Sequence, residues 1–329
     1  MDWEEYAYNR LEFNICLRFQ VFVLLYIWVS IGAYGLTDVK RDFMRSFCKN
    51  CLLFLMILIL SFVLSCNKNP VGTTTEFNWY PLAVGNSWEY SRFIASINIQ
   101  PDTTYVPFSD TFFSTGQVQV TKKDTLLDSI PVFELLENLK DTLGSYSSLN
   151  YFNNLEDGLY YYGFNGTSYL PPLQSTTQQS LHFKGKYFRN IREIIDWLEK
   201  AIPLSFSSSD FLDYYLPPRK RIQYPLKIGS QWTYTQTGDP WRIDGKVVNR
   251  EFVTIPAGMF YCYKIQWLYD LNEDGRWDSD IEFFQYVHSI GVVKWSILLK
   301  NIQYTDEFGN VIYTFDVIEE TQLTDFSVQ

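Results

Sequence analysis

An eleven-residue pattern occurs twice in this 329-residue chain. Tyr80-Pro81-Leu82-x-x-Gly85-x-x-Trp88-x-Tyr90 returns as Tyr224-Pro225-Leu226-x-x-Gly229-x-x-Trp232-x-Tyr234, with six identities, all of them Tyr, Pro, Leu, Gly or Trp. Such residue types seldom coincide at fixed spacing by chance, so the chain is an internal duplication. Whatever one copy folds into, the other must be able to fold into as well. The match runs on: Gly116 aligns with Gly245, Phe133-Glu134-Leu135 with Tyr263-Lys264-Ile265, and Asp157-Gly158-Leu159 with Ile290-Gly291-Val292. From Leu135 to Gly158 is 23 positions and from Ile265 to Gly291 is 26, which puts an enlarged turn, Asp270 to Asp280, in the second copy.

Both copies read as strands. Gln117–Thr121, Tyr261–Tyr269, Glu282–Val287 and Val292–Ile297 are rich in β-branched and aromatic residues and stop at Gly, Asn or Asp. Phe308-Gly309-Asn310-Val311 sits between two such runs and predicts a hairpin turn. The linkers are too short and polar for crossover helices, so the sheet is expected to be antiparallel. Phe188, Ile191, Ile194, Ile195, Leu198 and Ile202 recur instead at helical spacing. The expected fold is therefore mainly β: two tandem related antiparallel β modules of curved-sheet or half-barrel type, residues 79–170 and 223–329. An insertion, 171–222, separates them and carries one amphipathic helix at about 187–202.

Aromatic residues make up 18% of the chain. They suit either sugar-stacking platforms or the core face of a sheet, and the core is the commoner use. Trp88 and Trp232, at one place in both copies, are expected in the core.

Met44–Cys66 has the three parts of a secretory signal: a short positive head, Arg45 and Lys49; an apolar run, Leu52–Leu64; and a cleavage box, Val63-Leu64-Ser65-Cys66. The run is 13 residues long, short against the roughly 20 that span a bilayer as a helix. The box resembles the lipobox of bacterial lipoprotein precursors at Val63, Ser65 and Cys66, with Leu64 a mild departure. That resemblance implies a diacylglyceryl thioether on Cys66 and cleavage of residues 44–65. Asn67 follows it, where the usual sorting logic of such proteins favours the outer membrane. Two readings of residues 1–43 stand: an over-extended start with Met44 the true initiator, or an extra membrane segment built on Val21–Leu36. The self-sufficient signal favours the first. Residues 66–78, polar with Pro70 and Gly72, suit a flexible tether.

Residues 1–65 carry six basic and six acidic side chains, so the remainder keeps the whole net charge of −10. An acidic surface repels phosphate backbones, and nucleic acid is not an expected partner. Of five cysteines, only Cys262 lies beyond the lipidation site; between aromatic neighbours it reads as a buried strand thiol. The pair Cys48 and Cys51 lies in the signal and lacks a second pair to make a zinc site.

The repeated opening, the run Val253-Thr254-Ile255-Pro256-Ala257-Gly258-Met259-Phe260 and the run Ile290-Gly291-Val292-Val293-Lys294 resemble a widespread set of uncharacterised bacterial envelope lipoproteins. Those proteins are similar in turn to the periplasmic DUF3108 group. The resemblance implies a curved antiparallel sheet like that of lipoprotein-carrier half-barrels, and an envelope location; it attaches no catalytic residues. It is weaker in the first copy, where Ser129-Ile130-Pro131-Val132 replaces the Ile-Pro-Ala-Gly run.

The sharpest candidate for chemistry is the enlarged turn. Asp270, Asn272, Asp274 and Asp278 stand at positions 1, 3, 5 and 9 of a loop with Gly275 at 6, the spacing of calcium loops in which alternate residues turn inward. Arg276 would contribute its backbone carbonyl. Position 12 is Ile281, so Glu282 or Asp280 would have to replace the usual bidentate acid. The alternative is an acidic hairpin turn whose side chains cap their own backbone. Calcium is thus the one expected cofactor candidate.

Enzyme signatures are sparse. His182 and His288 have no nucleophile motif beside them, and no nucleophile elbow, zinc helix, phosphate loop or dinucleotide fingerprint occurs. Arg219-Lys220-Arg221, after Pro217 and Pro218, is the only basic cluster and reads as a solvated connector. The expected function is a lipid-anchored extracytoplasmic protein of the bacterial envelope, a non-enzymatic binding or structural module. Its expected partners are the membrane, through the lipid, and an envelope lipid, peptide or glycan. The rival is a secreted carbohydrate-active hydrolase or carbohydrate-binding protein working through aromatic platforms and a carboxylate pair.

Overall fold

A computed structural model describes residues 77, 79–101, 111–127, 129–141, 145–167, 180–200, 213–236 and 241–329. The expected signal, Cys66 and the tether up to residue 76 lie outside the described residues. The first copy supplies strands β1 (Ser87–Gln100), β2 (Phe112–Leu126), β3 (Ile130–Asp141), β4 (Ser145–Leu155) and β5 (Gly158–Thr167). The insertion holds the small strands β6 (Ser180–Phe183) and β7 (Lys186–Phe188), helix α1 (Ile191–Lys200) and strand β8 (Asp213–Gln223). The second copy supplies β9 (Gln231–Thr235), β10 (Arg242–Ile255), β11 (Gly258–Asp270), β12 (Ile281–His288), β13 (Gly291–Thr305) and β14 (Val311–Ser327).

All these strands join one antiparallel sheet in the order β8-β5-β4-β3-β2-β1-β14-β13-β12-β11-β10-β9, with β6 and β7 attached to β13. The sheet curls into a nearly closed barrel in which the two copies are joined by a long β1–β14 ladder, from Ser87↔Ser327 to Gln100↔Thr314. The opposite seam, between β8 and β9, has no ladder. Pro217 and Pro218 explain part of this, since proline has no N–H to donate and is confined to sheet edges.

The repeated motif builds the same turn twice. Gly85 N–H donates to Val120 O at 2.9 Å and Val120 N–H to Asn86 O at 2.9 Å; Gly229 N–H donates to Val247 O at 2.8 Å and Val247 N–H to Ser230 O at 2.9 Å. Gly85 and Gly229 have φ of +96° and +89°, a region where a Cβ is penalised, which accounts for glycine in both copies. A bulge follows Val120 on β2 and Val247 on β10. Counting from these turns corrects one expected equivalence. Trp88 faces Val118 and Trp232 faces Gly245, so Val118, not Gly116, is the counterpart of Gly245. A Cβ at Gly245 would lie 2.5 Å from the Trp232 indole, and that contact is the reason for a glycine there.

Alternation along the strands sends one set of side chains inward. Trp88, Tyr90 and Ile94 of β1 and Phe315, Val317 and Leu323 of β14 are buried, while Glu89, Thr115, Gln117 and Gln119 on the other face are exposed. An apolar interior behind a polar exterior is the reverse of the outer-membrane barrel, whose apolar band faces lipid. A small second cluster, Leu126, Val132, Tyr151 and Tyr162, packs separately from the main core.

One end of the barrel has the short turns at 156–157, 256–257 and 289–290; the other, the long-loop end, carries the connections 271–280 and 306–310. At the long-loop end the insertion forms a plug. β6 pairs with the end of β13 through His182↔Gln303, Trp197 meets Trp241 at 4.9 Å between ring centres, and Tyr269 donates to Leu198 O at 3.3 Å. The helix begins later than its apolar spacing predicts. Phe188 belongs to β7, and Asn190 caps the helix by accepting from Glu193 N–H at 3.0 Å, while the Glu193 carboxylate accepts from Arg189 N–H at 2.8 Å just ahead of the cap.

Candidate binding interior

The two motifs meet at the short-turn end. Tyr80 N–H donates to the Tyr224 hydroxyl at 2.9 Å, Tyr224 donates to Asn154 Oδ1 at 2.6 Å, and Asn154 Nδ2 donates to Tyr80 O at 2.8 Å. Phe77 and Trp79 pack on the Tyr224 ring at 5.7 and 5.5 Å. Burial raises the Tyr224 hydroxyl well above its ordinary pKa. Trp88 reaches into the second copy and donates from Nε1 to Ile290 O at 2.6 Å, and Tyr90 donates to Val292 O at 2.9 Å. Trp232 donates from Nε1 to Lys220 O at 3.1 Å across the open seam. Trp88 and Trp232 are 0% and 6% exposed, the core positions expected of them.

Burial pushes Tyr80 up to about 12, with the Val292 backbone and Arg221 pulling the other way. Tyr161, also raised by burial, donates to Asn150 Oδ1 at 3.0 Å, and Asn150 donates to Glu137 at 3.2 Å. Glu137 is exposed although it shares the face of buried Leu135.

The basic run lies opposite β5, with Lys220 facing Tyr160 and Arg219 facing Tyr161. Expected as a solvated connector, it is the last part of β8, and its residues divide by side. Lys220 pairs outside with Asp157 at 2.6 Å. The Arg219 guanidinium lies 3.9 Å from the Tyr215 ring centre and 5.8 Å from that of Tyr234, and the Arg221 guanidinium lies 4.7 Å from Trp267 and 5.6 Å from Tyr234. Sequence reasoning missed this; the available signal was Pro217-Pro218 marking an edge strand, with two arginines spaced for one face of it.

The enlarged turn sits at the long-loop end, and its residues are engaged as follows. Asp270, 2% exposed, accepts from Asp274 and Gly275 N–H at 3.1 Å each. Asp274 accepts from Arg276 N–H at 2.8 Å and from Asn272 Nδ2 at 3.2 Å. Asp278 accepts from Leu271 N–H at 2.8 Å, and Lys184 lies 2.7 Å from both Asp278 and Asp280. Glu282 pairs with Lys300, and Ile281 is buried. Among the described residues no group of three or more His, Cys, Asp or Glu side chains stands close enough to hold a metal ion. Lys184 already supplies the positive charge that Asp278 and Asp280 attract, so a divalent cation entering the loop would have to displace it. Lys184→Ala is therefore expected to raise the affinity of the loop for calcium or terbium, read as terbium emission sensitised by Trp277; identical titrations of the two proteins would show that Lys184 does not compete.

The remaining reactive groups are spent structurally. Cys262 is 0% exposed, and burial pushes its thiol up to about 12, far from the thiolate needed for nucleophilic work. His288 is shifted down by burial and by Arg250, and His182 contacts Gln303 Oε1 at 3.2 Å.

No family model matches the chain, and no curated protein matches it. Two solved structures are similar to it. One is described as an exported protein with a YmcC-like fold from Bacteroides fragilis, 10% identical, with a TM-score of 0.29. The other is described as a lipoprotein from Parabacteroides distasonis, 13% identical, with a TM-score of 0.29. Each match covers 77% of this chain and 100% of the other.

Proposed function

We propose that the chain is a lipid-anchored protein of the bacterial envelope, held at the outer membrane through Cys66, that binds a small ligand inside its barrel without transforming it. The observation that supports this reading is the placing of Arg219 and Arg221 against the rings of Tyr215, Tyr234 and Trp267, next to Tyr161, on the inward side of β8. Preformed concave sites with a few polar groups in an apolar lining are where small ligands bind, the interiors of barrels among them. The signal at Met44–Cys66 supports the location.

The test is to express the chain in a lipoprotein-competent bacterium, feed labelled palmitate and compare the parent with Cys66→Ala by intact mass and membrane fractionation. Label and cleavage at Cys66 are expected in the parent and absent from the variant. An unlabelled, uncleaved parent would overturn the anchor and the location together.

A further inference from the structure

We infer that the short-turn end of the barrel is a docking surface for a phospholipid bilayer, entered by the aliphatic turn residues Val84, Leu127 and Ile228; this rests on the lipid-anchored reading of the chain and adds to it the end that meets the lipid. β1 and β9 start at this end, and β2 and β10 finish at it. Turns that face water are ordinarily built from Gly, Pro, Asn, Asp and Ser. Val84 and Ile228 occupy one position of the repeated motif, just ahead of the glycine with positive φ, and are 49% and 62% exposed. Leu82 and Leu226, two positions earlier, are buried. Both copies therefore keep a second aliphatic side chain where burial in the barrel does not account for it.

Single exposed aliphatic residues are common on protein surfaces; Leu127 is a different case. Its φ is +49°, a region that penalises a branched side chain and that Gly or Asn enters more readily. Its side chain is 49% exposed, so packing inside the molecule does little to offset the strain. Strain held at such a position points to a contact outside the molecule. Trp79 and Met259 are exposed at the same end, and tryptophan is favoured at membrane–water interfaces. Charge and chain length select a bilayer as the occupant. Turns 83–85, 256–257 and 289–290 hold no charged residue, and the exposed charges Glu156 and Lys227 at this end have opposite signs. The long-loop end has an apolar tip of its own, Phe308, but exposes it beside Glu307, with Glu273 and Asp274 exposed in the connection 271–280. Carboxylates lose hydration at a lipid surface and are repelled by anionic headgroups, so that end suits lipid less well. Cys66 precedes Phe77 by 11 residues, a stretch that extends at most about 40 Å, and Phe77 packs on Tyr224 at the short-turn end. A diacylglyceryl group on Cys66 would keep this end within that reach of the headgroups, where inserted apolar side chains add to a lipid anchor.

The experiment uses the full chain expressed in a lipoprotein-competent bacterium and reconstituted in phosphatidylcholine nanodiscs, with a fluorescent reporter on one introduced cysteine. Ser129→Cys and Lys227→Cys report on the short-turn end and Glu307→Cys on the long-loop end; Cys262 is buried, and the parent treated in parallel gives the background. Quenching by nitroxide-bearing lipid and by aqueous iodide is read at each. Lipid quenching is expected to be several-fold stronger for Ser129→Cys and Lys227→Cys than for Glu307→Cys, with the order reversed for iodide. Leu127→Asn combined with Ile228→Ser is expected to abolish that difference while palmitate stays on Cys66. Leu127→Asn alone is expected not to lower the melting temperature, because Asn tolerates the positive φ. If all three reporters sit in water although palmitate is on Cys66, docking is wrong and the anchor stands. If the short-turn reporters are shielded from iodide but untouched by lipid nitroxide, the turns meet protein, a second copy included, and the bilayer is wrong. If only the Glu307→Cys reporter meets lipid, the assigned end is wrong. A parent without palmitate removes the anchor, and the inference falls with it. Should the double variant not fold, the three reporters on the otherwise unaltered chain decide the matter alone.

Discussion

Glu319→Ala is expected to cost about 3–5 kcal/mol of folding stability, the usual consequence of removing one partner from a buried ion pair. Glu319 of β14 is 0% exposed and Arg92 of β1 8%. Their contact is two-pronged, with Nε 2.7 Å from Oε1 and Nη2 donating to Oε2 at 3.0 Å. The carboxylate also accepts from Trp295 Nε1 at 3.4 Å and Thr321 Oγ1 at 3.3 Å. Alanine leaves the guanidinium in the wall of the barrel without this carboxylate, at the seam that joins the two copies. Urea denaturation should show the loss as a lower midpoint, and thermal melting as a drop of roughly 10 °C for a domain of this size. The pair itself is worth less than its breakage suggests, because charges that are matched still had to be desolvated. Arg92→Met combined with Glu319→Leu is accordingly expected to recover most of the loss. A single Glu319→Ala variant within about 1 kcal/mol of the parent would mean that the guanidinium finds water or another anion in place of this one.

Trp88→Ala is expected to be as damaging, about 3–5 kcal/mol, through the cavity left by a large aromatic side chain. Trp88 is 0% exposed, and its indole spans the two copies: it rises from the first, donates to Ile290 O in the second, and lies 5.9 Å from the Tyr80 ring. Gly291 makes room for it, since a Cβ there would stand 3.1 Å from Nε1. Trp88→Phe restores most of the volume and leaves only the Ile290 carbonyl without its donor, so it should cost a fraction of the alanine value. Trp232→Ala, at the same motif position, is expected to cost less than Trp88→Ala. It sits on β9, an edge strand of five residues, where neighbours can settle into the space. Calorimetry of the three variants checks the order, and equal losses at the two tryptophans would mean that β9 is held as rigidly as β1.

Much of this architecture can be read from residues close together in sequence. The repeated glycine with positive φ, the bulged strand after it, the core tryptophans and the turn at Asp306–Asn310, where Asp306 accepts from Phe308 and Asn310 N–H at 2.9 and 2.8 Å, are local matters of φ, alternation and capping. The equivalence of Gly116 with Gly245 slipped by two residues because identical letters were matched where the strand geometry matches valines. Features that depend on distant partners were not legible. Nothing around Leu216 to Arg221 announces that Arg221 will meet Trp267, and the spacing of acids in the enlarged turn does not reveal Lys184, which comes from the insertion. The direct pairing of β1 with β14 belongs to the same class: each strand's pattern permits it, and only closure of the barrel selects it.

That pairing orders events in the life of the chain. Among the described residues the first strand, β1, finds its second neighbour in the last, β14, and Gln329 N–H bonds Asn86 Oδ1 at 3.0 Å. Until β14 has been delivered, β1 presents a long unpaired edge, the kind of surface on which chains associate wrongly, and contacts this remote in sequence form slowly. A polypeptide cut short by even its final strand would lack both the ladder and the carboxylate that answers Arg92. Delivery of β14 is thus a condition of closure, and products that stop before it should stand out as targets for proteolysis.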